Sequence, residues 1–334
     1  MTLNLQKNGH ETIHLTAPLK TSNLMDQYIR CDLHGICIPE DDSQEFAYKI
    51  LHEKSKSFYF ATMRLPEKWR TPTAILYAIC RIIDDIADEP TDQADEQISQ
   101  LKELSEFFRN INSKFPCPNE NQILFQTKNV ILEHEIPVSL FVDLINGALS
   151  DLKKVQYKTT LDLMDYCYRV AGTVGLMMTH LFVSDPSEEI LIKARRLGEA
   201  LQLINILRDV KEDFLMERIY LPSTLLKRFN VDLKSVISGY LDSNYVSLLK
   251  SIESIAKDLF REGMEGIYLL PEFARYPIGL AANVYLGILE EIAGSGYDNI
   301  SARRFVPKWK KMVIAVRWKF TLLFKNSFKL WNSS

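Results

Sequence analysis

GEALQLINILRDVKEDFLMERIYLP, residues 198–222, is the stretch from which the fold is read. Its apolar residues recur at helical spacing, and Gln202, Asn205, Asp209 and Asp213 stand at offsets 0, 3, 7 and 11. At about 100° per residue those four fall within a sector of roughly 80° on one helix face. A polar stripe that narrow on an otherwise apolar helix must face something polar. Two carboxylates one turn apart, preceded by two amides, suit a hard cation that takes oxygen ligands.

A second stripe lies in YAICRIIDDIAD, residues 77–88, where Tyr77, Arg81, Asp84 and Asp88 stand at offsets 0, 4, 7 and 11, with Asp85 beside them. They span about 60° of one helix face by the same geometry. If the two stripes face each other, four carboxylates converge and repel unless cations sit between them. Mg²⁺ keeps several waters and is shared between carboxylates and substrate phosphates. The expected ligands are Asp84, Asp88, Asn205, Asp209 and Asp213, the expected ion Mg²⁺ with Mn²⁺ as the alternative, and the implied substrate a phosphate or diphosphate ester.

Composition sets the frame. The chain has 334 residues, 46% hydrophobic and 25% charged, with only 13 Gly and 13 Pro. No alternating runs with turn dipeptides recur, which predicts an all-helical protein. No apolar run is long enough to predict a membrane-spanning helix. The N-terminus lacks the apolar core of a signal peptide and the arginines of a transit peptide. Five scattered cysteines, an odd number, fit reduced thiols and a cytoplasmic location. The net charge of −3 is unevenly spread: from Asn299 onward there are nine Lys/Arg and no acid, leaving −12 on the first 298 residues.

Taken in order, residues 1–40 read as a loosely held arm, 41–300 as the catalytic helical domain and 301–334 as a basic aromatic segment. Cys31, His34 and Cys37 in the arm are one ligand short of a tetrahedral metal set and read as surface residues. Ser55, Lys56 and Ser57, just before Phe58, form a hydroxyl–ammonium–hydroxyl cluster at a helix end. Such a cluster is either a solvated terminus or a phosphate holder. Pro66 and Pro72 bracket a turn that starts the first aspartate helix, and Pro90 ends it. Residues 91–112 read as a surface helix, 116–120 as a loop, and 121–152 as two helices, the second opened by Pro137. The helical stretch 164–182 contains Gly172 and Gly175, each costing about 1 kcal/mol against Ala. Either a bulky ligand or another backbone passes close there. Tyr168 lies one turn before Gly172. Arg218, past the second stripe, is a diphosphate clamp or half of a surface ion pair. Tyr285 is a pocket residue or a core tyrosine.

The tail interleaves basic residues with Trp309, Trp318, Phe320, Phe324, Phe328 and Trp331. That pattern reads as a helix on anionic lipid through 303–331, or as a terminal helix docked on the acidic body; the two are compatible. Nothing else in the chain supports nucleic-acid binding. The expected assembly is a monomer or weak dimer.

Chemistry that needs Mg²⁺, a diphosphate and a large apolar cavity is prenyl transfer. Metal held by carboxylates stabilises a departing diphosphate, and the allyl cation left behind needs shielding from water. Aromatic faces such as Phe58, Tyr77 and Tyr168 can stabilise that cation in passing.

SKSFYFATMRLP (55–66), YAICRIIDDIAD, YRVAGTVG (168–175) and residues 197–222 together resemble the signatures of the squalene/phytoene synthase family, over about residues 45–311. The resemblance implies a single-domain, all-α isoprenoid-synthase bundle around a central cavity. It implies head-to-head condensation of two prenyl diphosphates through a cyclopropylcarbinyl diphosphate, followed by a second ionisation, rearrangement and proton loss. By position, Asp84, Asp88, Asp209 and Asp213 match the metal–diphosphate aspartates, with Asp85 in support. Ser55, Ser57, Tyr77, Arg81, Gln202, Asn205, Arg208 and Tyr285 match contacts to diphosphate or intermediate, and Arg303 a basic residue that reaches a diphosphate. Lys211 departs from the pattern, which usually has Gly there; it lies between the aspartates but off their face. NADPH is not expected, so the product is a triene such as phytoene rather than squalene. Small residues at Ala74 and Thr62 favour geranylgeranyl over farnesyl diphosphate. The rivals are the same fold stopping early, as a diphosphatase or at the cyclopropyl stage, squalene formation, and a non-catalytic scaffold relative.

Overall fold

The structure is a computed structural model that describes residues 40–88, 94–112, 122–153 and 155–331. The N-terminal arm with Cys31, His34 and Cys37, the helix end at Pro90 and the 116–120 loop lie outside the described residues.

Helices follow one another along the chain: α1 Glu40–Lys54, α2 Lys56–Thr62, α3 Glu67–Asp88, α4 Ala94–Arg109, α5 Gln122–Glu133, α6 Val138–Asp151, α7 Thr160–Cys167, α8 Thr173–Phe182, α9 Glu188–Arg208, α10 Val210–Leu215, α11 Ser223–Arg228, α12 Leu233–Ile237, α13 Ser243–Gly266, α14 Glu272–Gly294 and α15 Lys308–Trp331. Among the described residues the strands are a two-residue parallel pair, β1 Val155–Gln156 and β2 Arg218–Ile219. The all-α expectation holds: the apolar faces of these helices bury one another, and no sheet contributes to the core.

The centre of the bundle is α9. Its neighbours come close because glycines remove the Cβ between them. A Cβ on Gly198 would collide with the carbonyl of Ala171, and one on Gly175 would lie 2.5 Å from the carbonyl oxygen of Ala194. On the other side, Cβ atoms on Gly263 and Gly266 would lie 2.7 Å from Leu197 and from the Lys193 Cβ. In both pairs one number rises as the other falls, so α8 and α13 run antiparallel to α9. Gly175 therefore serves a tight helix crossing, one of the two alternatives its sequence context left open.

Three details depart from the sequence expectation. Pro72 lies inside α3, which starts at Glu67 directly after Pro66. Five residues into the helix a proline forfeits a single bond, to the carbonyl of Lys68, and the turn survives. Residues 164–182 are not one regular helix, because Tyr168–Gly172 forms a π-helical turn between α7 and α8. The second aspartate stripe is also interrupted. Asp209 adopts φ −106°, ψ 17° between α9 and α10. The bonds Asp209 N to Asn205 O and Asp213 N to Asp209 O, both 2.9 Å, carry the helix direction across the break.

The tail helix α15 docks along α14. Trp318 is buried against Gly279 and its indole donates to the Tyr276 carbonyl at 3.1 Å. Lys310 pairs with Glu290 and Glu291 on α14. Docking on the acidic body is thus one of the tail's roles.

The Gly198 contact gives a direct test. Gly198→Ala places a methyl on the Ala171 carbonyl and is expected to cost about 1–3 kcal/mol, read as a lowered urea midpoint; an unchanged midpoint would mean the α8–α9 crossing is looser than described.

Candidate active site

The bundle encloses a cavity of about 270 Å³. Along α9 it is lined from Ile190 through Ala194, Leu197, Gly198 and Leu201 to Gln202 and Asn205. That span of fifteen residue steps is about 22 Å at the helical rise. One end is polar: Arg81, Asp84, Gln202 and Asn205 meet Phe58, Tyr77 and Tyr285 there. The far end is closed by Phe182, Ile190 and Leu270. Tyr285 therefore faces the cavity rather than serving as a plain core residue. Phe58 and Tyr77 stack with centroids 5.2 Å apart.

The two aspartate ridges meet at the polar end, as their electrostatics require. Burial lifts the Asp84 carboxyl to about 8, with Asp88, Asp85 and Asp151 adding to the rise and Arg81 opposing it. Burial likewise lifts Asp213 to about 8, with Asp209, Asp151 and Asp88 adding and Arg218 opposing. Asp213 on the second ridge thus feels Asp88 on the first. The other carboxylates are held by bases. Asp85 pairs with Arg81 and with Lys54 at 2.8 Å. Asp88 accepts from Arg218 at 2.5 Å. Burial alone would lift Asp209, but the Arg208 and Arg303 guanidiniums outweigh it and hold that carboxyl below its usual range. Arg208 meets Asp209 at 2.7 Å and 2.5 Å, and Arg303 meets it at 2.8 Å and 3.1 Å.

Arg303 is aimed by the loop before it. Asn299 donates to the Leu207 carbonyl at 2.6 Å and accepts from Tyr245 at 2.9 Å. Lys211 reaches the Ile300 carbonyl at 3.3 Å. Its side chain therefore points at the 299–303 loop, off the aspartate face, and helps to bring Arg303 to Asp209. Ser55 caps α2 by accepting from Phe58 N at 3.2 Å. Ser57 accepts from Lys311 of the tail helix at 3.0 Å.

Two residues sit elsewhere than their sequence context suggested. Tyr168 does not line the cavity: its hydroxyl donates to Asp143 at 2.8 Å and its ring lies 4.4 Å beneath the Arg195 guanidinium. The π-helical turn shifts the phase of the helix at that point, and Val170, Ala171 and Val174 face the cavity instead. Arg218 is neither a free clamp nor a surface ion pair. It is buried, and it donates to Asp88, to the Ala87 carbonyl at 2.7 Å and to the Asp151 carbonyl at 3.2 Å, so it ties the end of α3 to the end of α6. Ala74 and Thr62 are buried outside the cavity lining, so their size does not set its length.

Residues without a sequence signal complete the site. Tyr166 and Tyr220 each donate to Asp151 at 2.8 Å and stack with centroids 4.8 Å apart. Burial lifts Asp151 to about 6, opposed by Arg218 and the two hydroxyls. Tyr166 stands one turn before Val170, the spacing that marks it in retrospect. Lys311 lies beyond the matched motifs. Burial and the neighbouring Lys56 lower its pKa.

Whether these residues suit a metal–diphosphate group is tested by what they lack. Among the described residues four buried side-chain polar atoms have no hydrogen-bond partner, and two lie at this polar end: the Arg81 Nε donor and the Asn205 Oδ1 acceptor. An anionic oxygen would satisfy the first and a cation the second. Among the described residues no three His, Cys, Asp or Glu side chains are gathered around a common metal point. Arg218 holds Asp88, and Arg208 and Arg303 hold Asp209. The oxygen donors of the two ridges are of the kind a hard cation takes.

An all-helical bundle with a long apolar cavity and two facing aspartate ridges defines an isoprenoid-synthase fold. The squalene/phytoene synthase family model matches residues 51–310. A 4,4'-diapophytoene synthase of Staphylococcus haemolyticus is 32% identical over 81% of this chain and 94% of its own length. A phytoene synthase of Thermus thermophilus is 32% identical over 80% of this chain and 89% of its own. A crystal structure of a dehydrosqualene synthase with ligand superposes at a TM-score of 0.75 and 30% identity, covering 85% of this chain and 97% of that one. The chain belongs to the squalene/phytoene synthase family and is a prenyltransferase.

The raised carboxyls fix a sign for pH. Asp84 and Asp213 bind protons more tightly folded than unfolded, so their contribution to metal-free stability is fully present below the unfolded carboxylate pKa of about 4 and is lost as pH climbs towards 8. Urea titrations in chelator between about pH 5 and pH 8 should show that fall. Asp84→Asn should recover about 1 kcal/mol or more at the upper end. A flat profile, with the variant no more stable, would contradict the described convergence.

Proposed function

We propose that the protein condenses two geranylgeranyl diphosphates head to head to phytoene. The observation that carries this reading is the cavity itself. Between the aromatics at its mouth and Phe182 at its far end, its lining is small or aliphatic, with Ala171, Ala194 and Ala282 among the small residues and Gly175, Gly198 and Gly263 at the helix crossings that frame it. Such a lining suits a long branched chain extended away from the carboxylates.

Asp84, Asp88, Asp209, Asp213 and Asn205 would hold Mg²⁺, which when bound neutralises the charge that develops on a departing diphosphate. Arg81, Arg208 and Arg303 offer guanidinium forks for phosphate oxygens. Lys56, Lys311 and the hydroxyls of Ser55 and Ser57 offer a second anion-binding edge at the same mouth. The first diphosphate leaves as C1 of its allyl group bonds across the double bond of the second substrate, with proton loss closing a cyclopropane. Loss of the second diphosphate, ring opening and loss of a further proton give the central triene. Burial keeps the Tyr77 hydroxyl protonated, and the stacked Phe58 and Tyr77 rings present apolar faces to a passing carbocation beside a lining that is mostly apolar.

The runner-up is condensation of two farnesyl diphosphates to dehydrosqualene, favoured by the 32% identity to a diapophytoene synthase. Purified protein with Mg²⁺ and either substrate, with and without NADPH, separates the two by hydrocarbon mass. The expected result is a C40 triene from the C20 substrate with no dependence on NADPH; a C30 product alone would overturn the chain-length reading. Asp84→Ala and Asp213→Ala are each expected to lower kcat by about 10²-fold or more, and wild-type turnover in either variant would overturn the site.

A further inference from the structure

We infer that the outward face of α15 is a docking surface for an anionic lipid bilayer. It is carried by a segment mostly beyond the matched family region, which ends at residue 310, and stands apart from the reaction.

Docking on α14 consumes one side of α15. Ala315 and Trp318 are buried there, and Lys311 and Ile314 are half-buried. The opposite side is apolar and exposed: Trp309 68%, Met312 53%, Val313 56%, Val316 53%, Phe320 54% and Phe324 70%. At about 100° per residue these six occupy one stripe roughly 120° wide, running the helix for about 22 Å. A helix with one face sealed into the protein needs no second apolar face for folding. An exposed stripe of this size marks an interaction surface.

Charge selects the occupant. By the same helical angles, exposed Arg317 lies about 80° to one side of the stripe's centre, and exposed Lys319 and Lys308 lie about 80–100° to the other. Basic side chains on both shoulders of an aromatic stripe can extend to headgroup phosphates while the stripe enters the acyl boundary. Of the nine basic residues from Asn299 onward, Arg303, Arg304 and Lys310 pair with acids of the body, while Lys308, Arg317 and Lys319, which make no ion pair among the described residues, give the face its attraction for anionic lipid. A second copy of this chain fits less well, because it would bring the same positive shoulders together. Among the described residues no helix is long and apolar enough to cross a membrane, so the binding mode is peripheral.

The test uses the full chain and vesicles of phosphatidylglycerol with phosphatidylcholine, or phosphatidylcholine alone. Wild type should float with the anionic vesicles and weaken with added salt. The outward variant Trp309→Ser/Phe320→Ser/Phe324→Ser and the shoulder variant Arg317→Glu/Lys319→Glu should each bind about tenfold less or weaker still, with unchanged thermal midpoints because Trp318 remains docked. Failure of wild type to float, or equal flotation of either variant, would overturn the proposal. So would a wild-type dimer in sedimentation equilibrium that the triple variant dissolves while vesicle binding is absent. Turnover assayed in detergent micelles should be the same in all three proteins, which separates this result from any failure of the proposed reaction.

Discussion

Mutual repulsion among carboxylates gathered at one end of an apolar cavity is the constraint on which the structure depends. Asp84 and Asp213 have no base within hydrogen-bond distance among the described residues, and burial beside other acids pushes both to about 8. Arg81 and Lys54 are brought to Asp85, Arg218 to Asp88, and Arg208 and Arg303 to Asp209, whose carboxyl they hold below its usual range. A fold that gathers five acids beside a greasy lining, and leaves Asp84 and Asp213 without a paired base, loses stability as those two ionise. In the proposed reading, a cation would compete with the arginines that hold Asp88 and Asp209 and would free those on Asp209 for an anion.

The ridges, their residues and the all-helical class were legible because a spacing of three, four and seven is written directly into the sequence. Tyr77, Arg81, Gln202 and Asn205 reach the cavity from positions their helical angles assign, while Tyr285, left open between pocket and core, proves to line it. What could not be read was phase and partnership. Around a π-helical turn of five residues, Val170, Ala171 and Val174 rather than Tyr168 lie on the cavity wall, and nothing in YCYRVAG announces that turn. Arg218 looked like a surface clamp because its partners, Asp88 and the Ala87 and Asp151 carbonyls, lie 67 to 131 residues away in sequence. Ala74 and Thr62 are small, but size says nothing of direction, and both are buried away from the cavity.

The tail shows the same limit from the other side. Its composition allowed docking or lipid contact; one side of the helix docks on α14, and the opposite side is exposed and apolar. Gly279 decides the matter locally: without a Cβ there, Trp318 can lie flat on α14 and fix the rotation of α15. Once that rotation is fixed, Lys311 falls beside Ser57 and Trp309 falls outward. One docking contact thus sets both the Lys311–Ser57 contact beside α2 and the outer surface of the molecule.

Titration calorimetry of inorganic diphosphate into the protein, with and without Mg²⁺, tests the central claim most directly, because it asks about the ridges without asking about chemistry. If the two aspartate ridges hold cation and anion together, diphosphate should bind measurably only with Mg²⁺, diphosphate should tighten Mg²⁺ binding by the same factor, and Asp84→Asn or Asp213→Asn alone should abolish the coupling. Diphosphate binding that is indifferent to Mg²⁺, or coupling that survives loss of either aspartate, would contradict it.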